Sequence, residues 1–311
     1  MNVMTLFLNP RAGGGTAERR WTAVRPDVER LVGPLTETLP DNGAGLDDAV
    51  EHAFRDGERR FIATGGDGTV NALLNSLLRF RTHPAFSQVA LGAVGLGSSN
   101  DFHKQSGGHS PAGVRWRIDF HRTRRQDVGR IDAATDRGRI RRYFIVNASL
   151  GVTADGNAIF NRTSGMIGLL KRLSTNTAIS WAALSAILRH TDAEARVSFD
   201  GGDEGRVRIS NLAVMKNPSI SGGMRAAIPV SADGGRLGVW MEEGLSRVAL
   251  LTLFIKLNSG WFSPTGTSTI GAYRSLRVRG TNLFPVEFDG EILHASDVQF
   301  SLLDRALEVC L

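Results

Sequence analysis

The sequence is poor in cysteine and in lysine. The one cysteine, Cys310, stands beside the C-terminus. A disulfide framework and a cysteine-built metal site within one chain are thereby excluded, and the usage suits a reducing compartment. Lysine occurs only at positions 104, 171, 216 and 256, so the formal net charge of +6 and the pI near 10.2 are carried almost wholly by arginine. Those arginines do not interleave with aromatic residues in any recognised nucleic-acid module, so no nucleic-acid partner is expected. No apolar run approaches the ~20 residues that span a bilayer, and the N-terminus lacks the basic and small-residue features of a signal peptide. The seven histidines show no HxxxH or HxxE spacing, which argues against a zinc site. There is no internal repeat and no low-complexity segment. A cytoplasmic protein is the expectation.

What is present is a globular composition, 41% hydrophobic and 22% charged over 311 residues, enough for two domains. The stretch Phe61-Ile-Ala-Thr-Gly-Gly-Asp-Gly-Thr-Val-Asn71 organises the first. Phe61–Ala63 reads as the end of a buried strand. Gly65 and Gly66 remove side chains where the backbone must turn, and Thr69 is read as capping the helix 70–78. A strand, a glycine turn and a helix N-terminus make an anion site, because free N–H groups and the helix dipole point at one spot. Asp67 puts a carboxylate there, suited to a metal ion or a water beside a phosphate.

Two more strands end in similar turns. Met4–Leu8 runs into Asn9-Pro-Arg-Ala-Gly-Gly-Gly15, followed by a helix that Thr16 is expected to cap and Pro26 to break or kink. The strand 88–94 runs into Gly95-Leu-Gly-Ser-Ser-Asn-Asp-Phe102. In an open α/β sheet the ligand lies outside the carboxyl ends of the strands, so the three turns should meet at one crevice. Asn100 and Asp101 are read as nucleotide and metal ligands, with a turn-capping role as the alternative.

Near residue 125 the pattern changes. Residues 115–125, dense in arginine, read as a solvated linker or edge strand. Beyond them the segments are mostly strands separated by turn residues such as Asp200-Gly-Gly202 and Asp233-Gly-Gly235, which suggests an antiparallel sandwich. The expected domains are 1–125 and 126–311, with the last strand able to return to the first domain. Helical segments interrupt the second domain at 165–173, 178–189 and 246–258. The last is expected to be buried, and Trp181 to pack in the core, with contact to acyl chains or membrane as its alternative.

Asp289-Gly290-Glu291 follows the apolar strand 284–288. Its plain reading is a hairpin turn with two solvated acids. Its chemical reading is a pair of carboxylates that divide the work of deprotonating an alcohol.

Taken together these motifs resemble the diacylglycerol kinase catalytic-domain family, which includes bacterial lipid kinases and sphingosine kinases. Asn9-Pro10 with Gly13 looks like the family's first nucleotide loop and Gly65–Thr69 like its second. Residues 95–102 are similar to the family's Pro-Leu-Gly-Thr-Gly-Asn-Asp-Phe. Asp127 with Gly129 is similar to the opening of its second domain, and Asp289-Gly-Glu to its catalytic segment. The Gly-Gly-Asp-Gly-Thr loop alone is also similar to those of NAD kinases and phosphofructokinases.

The resemblance implies an N-terminal Rossmann-like, NAD-kinase-type nucleotide-binding domain followed by an antiparallel β-sandwich domain. It implies an ATP- and Mg2+-dependent lipid kinase whose acceptor is diacylglycerol or a related lipid, reached by peripheral contact with a membrane. Asn9, Pro10, Gly13, Gly65, Gly66, Asp67, Gly68, Thr69, Gly97, Ser98 and Asn100 would bind the nucleotide. Asp67, Asp101, Asp127 and Asp233 would serve the metal, and Asp289 and Glu291 catalysis, with Asp289 as base. A homodimer is kept open. The alternatives are a kinase of a soluble acceptor and a weakened nucleotide- or lipid-binding protein. Departures from the family pattern motivate the latter: Ala72 stands where the family commonly has Glu, Gly14 or Gly15 where Lys is frequent, and Gly234 where a second carboxylate is usual. His103-Lys104 replaces Ala-Arg but keeps a cation.

Overall fold

The computed structural model describes residues 4–40, 42–104, 107–162, 165–226, 228–260 and 266–311. The chain divides into two compact units, residues 1–126 with 305–311, and residues 127–304.

The first unit is built on parallel strands. β1 (Met4–Leu8) pairs with β2 (Leu35–Thr38) on one side and β3 (Arg60–Gly65) on the other, and β3 pairs with β4 (Ala90–Gly95). Buried on both faces, β3 and β4 are apolar or small at nearly every position, as parallel strands require. Helices α1 (Ala17–Val32), α2 (Gly43–Arg55) and α3 (Asp67–Leu77) provide the crossovers. Trp21, Val24 and Val28 of α1 pack on Leu6, Leu8 and Ile62 of the sheet. Pro26 lies inside α1 without ending it. Asn42 caps α2 by accepting the Gly45 N–H, so the helix begins four residues before Asp47 and Asp48, the acidic pair whose fit to a helix dipole predicts a start there. The final residues rejoin this sheet, with Glu308 and Val309 beside Ala90 and Leu91.

The arginine-dense stretch is not a solvated linker. Its short strand β5 (Arg115–Arg117) pairs antiparallel with β4. Arg117 is 2% exposed; its guanidinium donates to the carbonyls of Cys310 (2.7 Å) and Phe102 (3.1 Å) and lies over the Phe102 ring. Burial pushes its pKa down to about 10 and that of the neighbouring Cys310 thiol up to about 12, so the thiol is unreactive at neutral pH.

The second unit is mainly antiparallel. Its strands are β6 (Thr123–Thr135, from Asp127 on), β7 (Gly138–Phe144), β8 (Asn147–Gly151), β9 (Ala193–Phe199), β10 (Gly205–Met215), β11 (Leu237–Glu243), β12 (Ser268–Tyr273), β13 (Ser275–Phe288) and β14 (Glu291–Cys310, as far as Asp304). β10 lies against β9, β11 and β8, and β13 against β9, β14 and β8. Ile131, Phe144, Leu150, Leu212, Val239, Val278, Val286 and Phe300 fill the interior.

The apolar segments 275–279 and 284–288, which read as two strands, form the one long β13, and 298–302 and 306–309 likewise lie in β14; the segment 143–149, which reads as one strand, is broken at Ile145–Val146. Helix α4 (Val152–Phe160) is an addition that its sequence did not announce. It packs on α6 (Thr175–Arg189), which also touches α5 (Gly165–Leu173) and α7 (Arg247–Asn258). Two packing expectations are overturned here. Trp181 is 43% exposed, and α7 buries Leu250, Leu253 and Leu257 while Val248 is 75% exposed. The core face of α6 carries Ala178, Ala182, Ala186 and Ile187, and its tryptophan and two leucines are left outside.

Candidate active site

In the first unit the three glycine turns converge. The Leu96 and Gly97 amides both donate to the Gly65 carbonyl, at 2.7 and 3.1 Å. A Cβ on Gly97 would lie 2.3 Å from the Gly66 Cα, and one on Gly13 2.5 Å from the Leu96 carbonyl oxygen. Backbone meets backbone at both places, which only glycine permits. The first turn is tied to the second by the Asn9 side chain, whose Nδ2 donates to the Thr69 hydroxyl at 3.1 Å, and by the Asn9 amide, which donates to the Thr64 carbonyl. Gly13, Gly14 and Gly15 all have positive φ.

Thr69 therefore does not cap α3. The helix starts three residues earlier than expected, at Asp67, with Gly66 as the cap residue. Gly66 has no side chain to cap a first-turn amide; its carbonyl accepts those of Thr69 (2.9 Å) and Val70 (3.1 Å), and the helix dipole still points its positive end at this turn. Gly68 lies in that first turn. Pro10 follows Asn9 in the first turn of chain, and Ser98 is exposed on the third.

Asp67 accepts the amides of Asp101 (3.0 Å) and Phe102 (2.9 Å), one on each carboxylate oxygen. The site thus brings Asp67 and Asp101 together, with the Lys104 ammonium 2.5 Å from Asp101. Asn100, in the left-handed region at φ 51°, uses its side chain to close its own turn, accepting from the Gly97 amide and donating to the Gly97 and Gly95 carbonyls. Its position corresponds to the turn-capping reading. Two contributors were not visible in sequence. Arg20 donates to the carbonyls of Leu96 and Gly95, bracing the third turn, and burial lowers its pKa. His103, buried beside Gly95, is held neutral, its pKa depressed to about 3 by burial and then by Arg117.

In the second unit Asp289 and Gly290 form the two-residue loop between β13 and β14, both at positive φ (47° and 94°). The fold is that of an Asp-Gly hairpin, but the acid is not solvated. Asp289 is 2% exposed, and its carboxylate accepts the amides of Ile145 (2.7 Å), Val146 (2.9 Å) and Asn147 (2.9 Å). Those three donors are why the chain stops being a strand between β7 and β8.

Glu287 lies beneath, accepting from the Gly290 amide and the Ser149 hydroxyl, both at 2.8 Å. Asn161 of the loop after α4 donates to the Gly290 carbonyl at 2.7 Å. Glu287, Ser149, Asn147 and Asn161 went unnoticed in the sequence, because nothing local links them to the hairpin. Glu291 differs from its neighbours. Among the described residues its carboxylate makes no hydrogen bond or ion pair, and the protein crowded around it raises its pKa although the side chain is open to solvent. The geometry leaves Asp289 little freedom to act as a base and leaves Glu291 that freedom.

Asp127 and Asp233 stand elsewhere in the second unit. Asp127 is 1% exposed, and its Oδ2 accepts from the Lys216 ammonium and the Gly235 amide, both at 2.8 Å. A buried lysine therefore neutralises the carboxylate that sequence reading offered to a metal, which is a correction. Lys216 also donates to the Arg236 carbonyl, and Asp233 accepts from the Ser231 hydroxyl. Among the described residues no three His, Cys, Asp or Glu side chains gather into a metal cluster.

Comparison with known proteins gives this geometry its class. Residues 3–131 match the diacylglycerol kinase catalytic domain, and residues 147–311 match the YegS C-terminal NAD kinase beta sandwich-like domain. The chain belongs to the diacylglycerol kinase-like family of lipid kinases. A Chromohalobacter salexigens protein named "Probable lipid kinase YegS-like" is 30% identical over 225 residues, which cover 70% of this chain and 66% of that protein, just under two thirds of its length. Among solved structures, a diacylglycerol kinase of Bacillus anthracis str. Sterne superposes with a TM-score of 0.67 at 16% identity, covering 99% of this chain and 96% of that one. A further chain from the same organism gives a TM-score of 0.70 at 18% identity over 99% and 97%. At these identities the structural likeness speaks for the fold: an N-terminal unit of the kinase type followed by a β-sandwich-like unit.

Proposed function

We propose that this chain transfers the γ-phosphoryl group of ATP to the hydroxyl of a lipid, diacylglycerol or a related lipid alcohol. The observation that carries the reading is the convergence of three glycine turns on the N-terminus of α3, with Asp67 clamped across the second and third. Backbone amides and a helix dipole, unobstructed by side chains, suit the β- and γ-phosphates of a nucleotide. Asn9, Pro10, Gly13, Gly65, Gly66, Gly68, Thr69, Gly97 and Ser98 line these turns, and Arg20 and Asn100 hold them in shape.

The donor set also fits a magnesium ion. Asp67 places one carboxylate at the N-terminus of α3, and Asp101 adds a second, partly balanced by Lys104. Bound there, Mg2+ would neutralise charge on the phosphates. Asp127, paired with Lys216, takes no part, and Asp233 is not needed.

In the second unit Glu291 is the base, accepting the proton of the attacking hydroxyl. Its raised pKa improves its match to that task. Asp289 is the positioning residue. By binding three amides it fixes the hairpin from which Glu291 projects, and Glu287 fixes the Gly290 end of the same loop. The lipid acceptor is met by peripheral contact with a membrane, since among the described residues no helix is long and apolar enough to cross one.

Transfer of label from ATP to a lipid panel, with the products identified by mass spectrometry, tests the reading. Phosphorylation of a lipid hydroxyl that needs Mg2+ and is lost in Glu291→Gln supports it. Phosphorylation of NAD or another soluble alcohol instead, or ATP binding without turnover on any acceptor, overturns it.

A further inference from the structure

Eleven large hydrophobic side chains are exposed among the described residues, and eight of them lie on three helices of the second unit: Met166 and Leu169 on α5, Trp181, Leu184 and Leu188 on α6, and Val248, Leu251 and Ile255 on α7. The remaining three, Leu31, Leu39 and Leu283, are scattered singly. Concentration on this scale marks a surface with a partner.

The spacing is regular. Trp181, Leu184 and Leu188 follow i, i+3, i+7, and so do Val248, Leu251 and Ile255; Met166 and Leu169 are i, i+3. Each set is therefore one stripe on one face of its helix. α6 reverses the usual distribution. It turns Ala178, Ala182, Ala186 and one large residue, Ile187, inward and keeps the tryptophan and two leucines outside. The core does not need those large side chains, and their presence calls for another apolar phase. α6 touches both α5 and α7, so the three helices form one group.

Charge decides what that phase is. Residues 161–189 and 246–260 contain no Asp or Glu, while they contain Arg162, Lys171, Arg172, Arg189, Arg247 and Lys256. Arg189, Arg247 and Lys256 are exposed at helix ends that carry the apolar stripes. Basic residues at the ends of helices that expose Leu, Val, Ile and a half-exposed Trp suit an anionic phospholipid surface, where the apolar stripe enters the acyl boundary and the cations meet headgroups. A protein partner of the same shape would have no need for the complete absence of acids.

We propose that α5, α6 and α7 form the surface by which this protein docks on anionic bilayers. This deepens the lipid-kinase reading by assigning the membrane contact to named side chains. Its own evidence is the surface, so the two can fail separately.

The experiment is flotation of the full chain with vesicles of phosphatidylcholine alone and of phosphatidylcholine mixed with phosphatidylglycerol. The expected result is binding to the mixed vesicles that weakens with added salt. Replacing one cation, in Arg189→Gln, Arg247→Gln or Lys256→Gln, should lower vesicle affinity about fivefold, ~1 kcal/mol. The double change Leu184→Ser with Leu188→Ser should lower it by about tenfold or more. Leu31→Ser and Leu283→Ser, which are apolar and exposed elsewhere, should leave it unchanged. Melting curves check that the variants fold, and all the changed positions are exposed. Turnover on a short-chain acceptor dispersed without vesicles reads the kinase chemistry separately and should survive in the docking variants. The proposal is overturned if the protein ignores anionic vesicles or binds neutral ones as well. It is overturned equally if the leucine double variant floats like the parent, including the case where sedimentation shows that variant to have lost a dimer instead.

Discussion

The carboxylate of Asp289 accepts the amide hydrogen of Ile145 at 2.7 Å, across 144 positions of sequence. With the Val146 and Asn147 amides it completes a three-donor pocket for one buried anion. Hydrogen bonds to an ionised acceptor are stronger than neutral ones, and losing them leaves buried donors unmet. Asp289 is thus a fixed point of the second unit, and the two acids of the motif have different work.

Asp289→Asn should accordingly destabilise the protein. The amide NH2 of asparagine would face backbone N–H donors, and each donor left unsatisfied costs about 1–3 kcal/mol. A lower melting temperature is expected for Asp289→Asn and an unchanged one for Glu291→Gln, while Glu291→Gln should lower kcat about 10²–10⁴-fold. Equal melting temperatures for the two variants would contradict this division.

Activity should depend on pH through Glu291. A base works only when deprotonated, so kcat/KM falls as pH drops through its pKa. Because the protein crowded around the Glu291 carboxylate raises its pKa, that acidic limb should lie above that of an ordinary glutamate. In Glu291→Gln the residual activity should lose the limb. A pH–rate profile under conditions where chemistry limits turnover makes the check.

Gly97→Ala should weaken nucleotide binding. The new Cβ would stand 2.3 Å from the Gly66 Cα, backbone that cannot yield without moving the second turn. Overpacking of this kind costs about 1–3 kcal/mol, and here it distorts the proposed phosphate cradle. Calorimetric titration with ATP should show an affinity loss, with the second unit's chemistry untouched.

Lys216→Met should be strongly destabilising, by about 3–5 kcal/mol, because it strands the buried Asp127 carboxylate. Combining it with Asp127→Asn should restore part of the loss. Denaturant unfolding of the two single variants and the double variant measures the coupling.

His190 should make stability depend on pH. It lies between Asp192, 3.2 Å from Nε2, and Asp155, 3.7 Å from Nδ1, with Arg208 and Ser210 also on Asp192. Burial opposes its protonation, yet the two carboxylates outweigh burial and the folded-state pKa is raised. The contribution is therefore full below the unfolded value of about 6.5 and is lost as pH rises through the higher folded value. The melting-temperature difference between the parent and His190→Asn should shrink as pH rises through that window. A difference that grows with pH would reverse the assignment.

Much of the site could be read from the chain alone, since its chemistry is local. Gly65-Gly66-Asp67 between an apolar strand and an amphipathic helix announces a turn at a helix N-terminus, and Asp289-Gly290 announces a hairpin. The parallel βα pattern of the first unit and the strand-rich character of the second follow from periodicity and turn residues. What sequence could not assign was which polar group takes which partner. Asn100 reads as a ligand with a turn cap as its alternative, and Asp127 equally as a metal ligand or a strand-edge acid; only the fold pairs the first with the Gly97 amide and the second with the Lys216 ammonium. Likewise nothing near Thr69 shows that Asn9 will use its hydroxyl and leave Gly66 to start the helix.

By itself, then, the sequence determined the turns, the strands and the residue types gathered at each, because backbone propensity and hydrophobic period act over a few neighbours. Tertiary structure alone decided that Asp289 would be buried on three distant amides, that Arg117 would be internal, and that Trp181 would face outward. Burial and hydrogen-bond partnership depend on chain segments a hundred or more residues away. No local pattern carries that information.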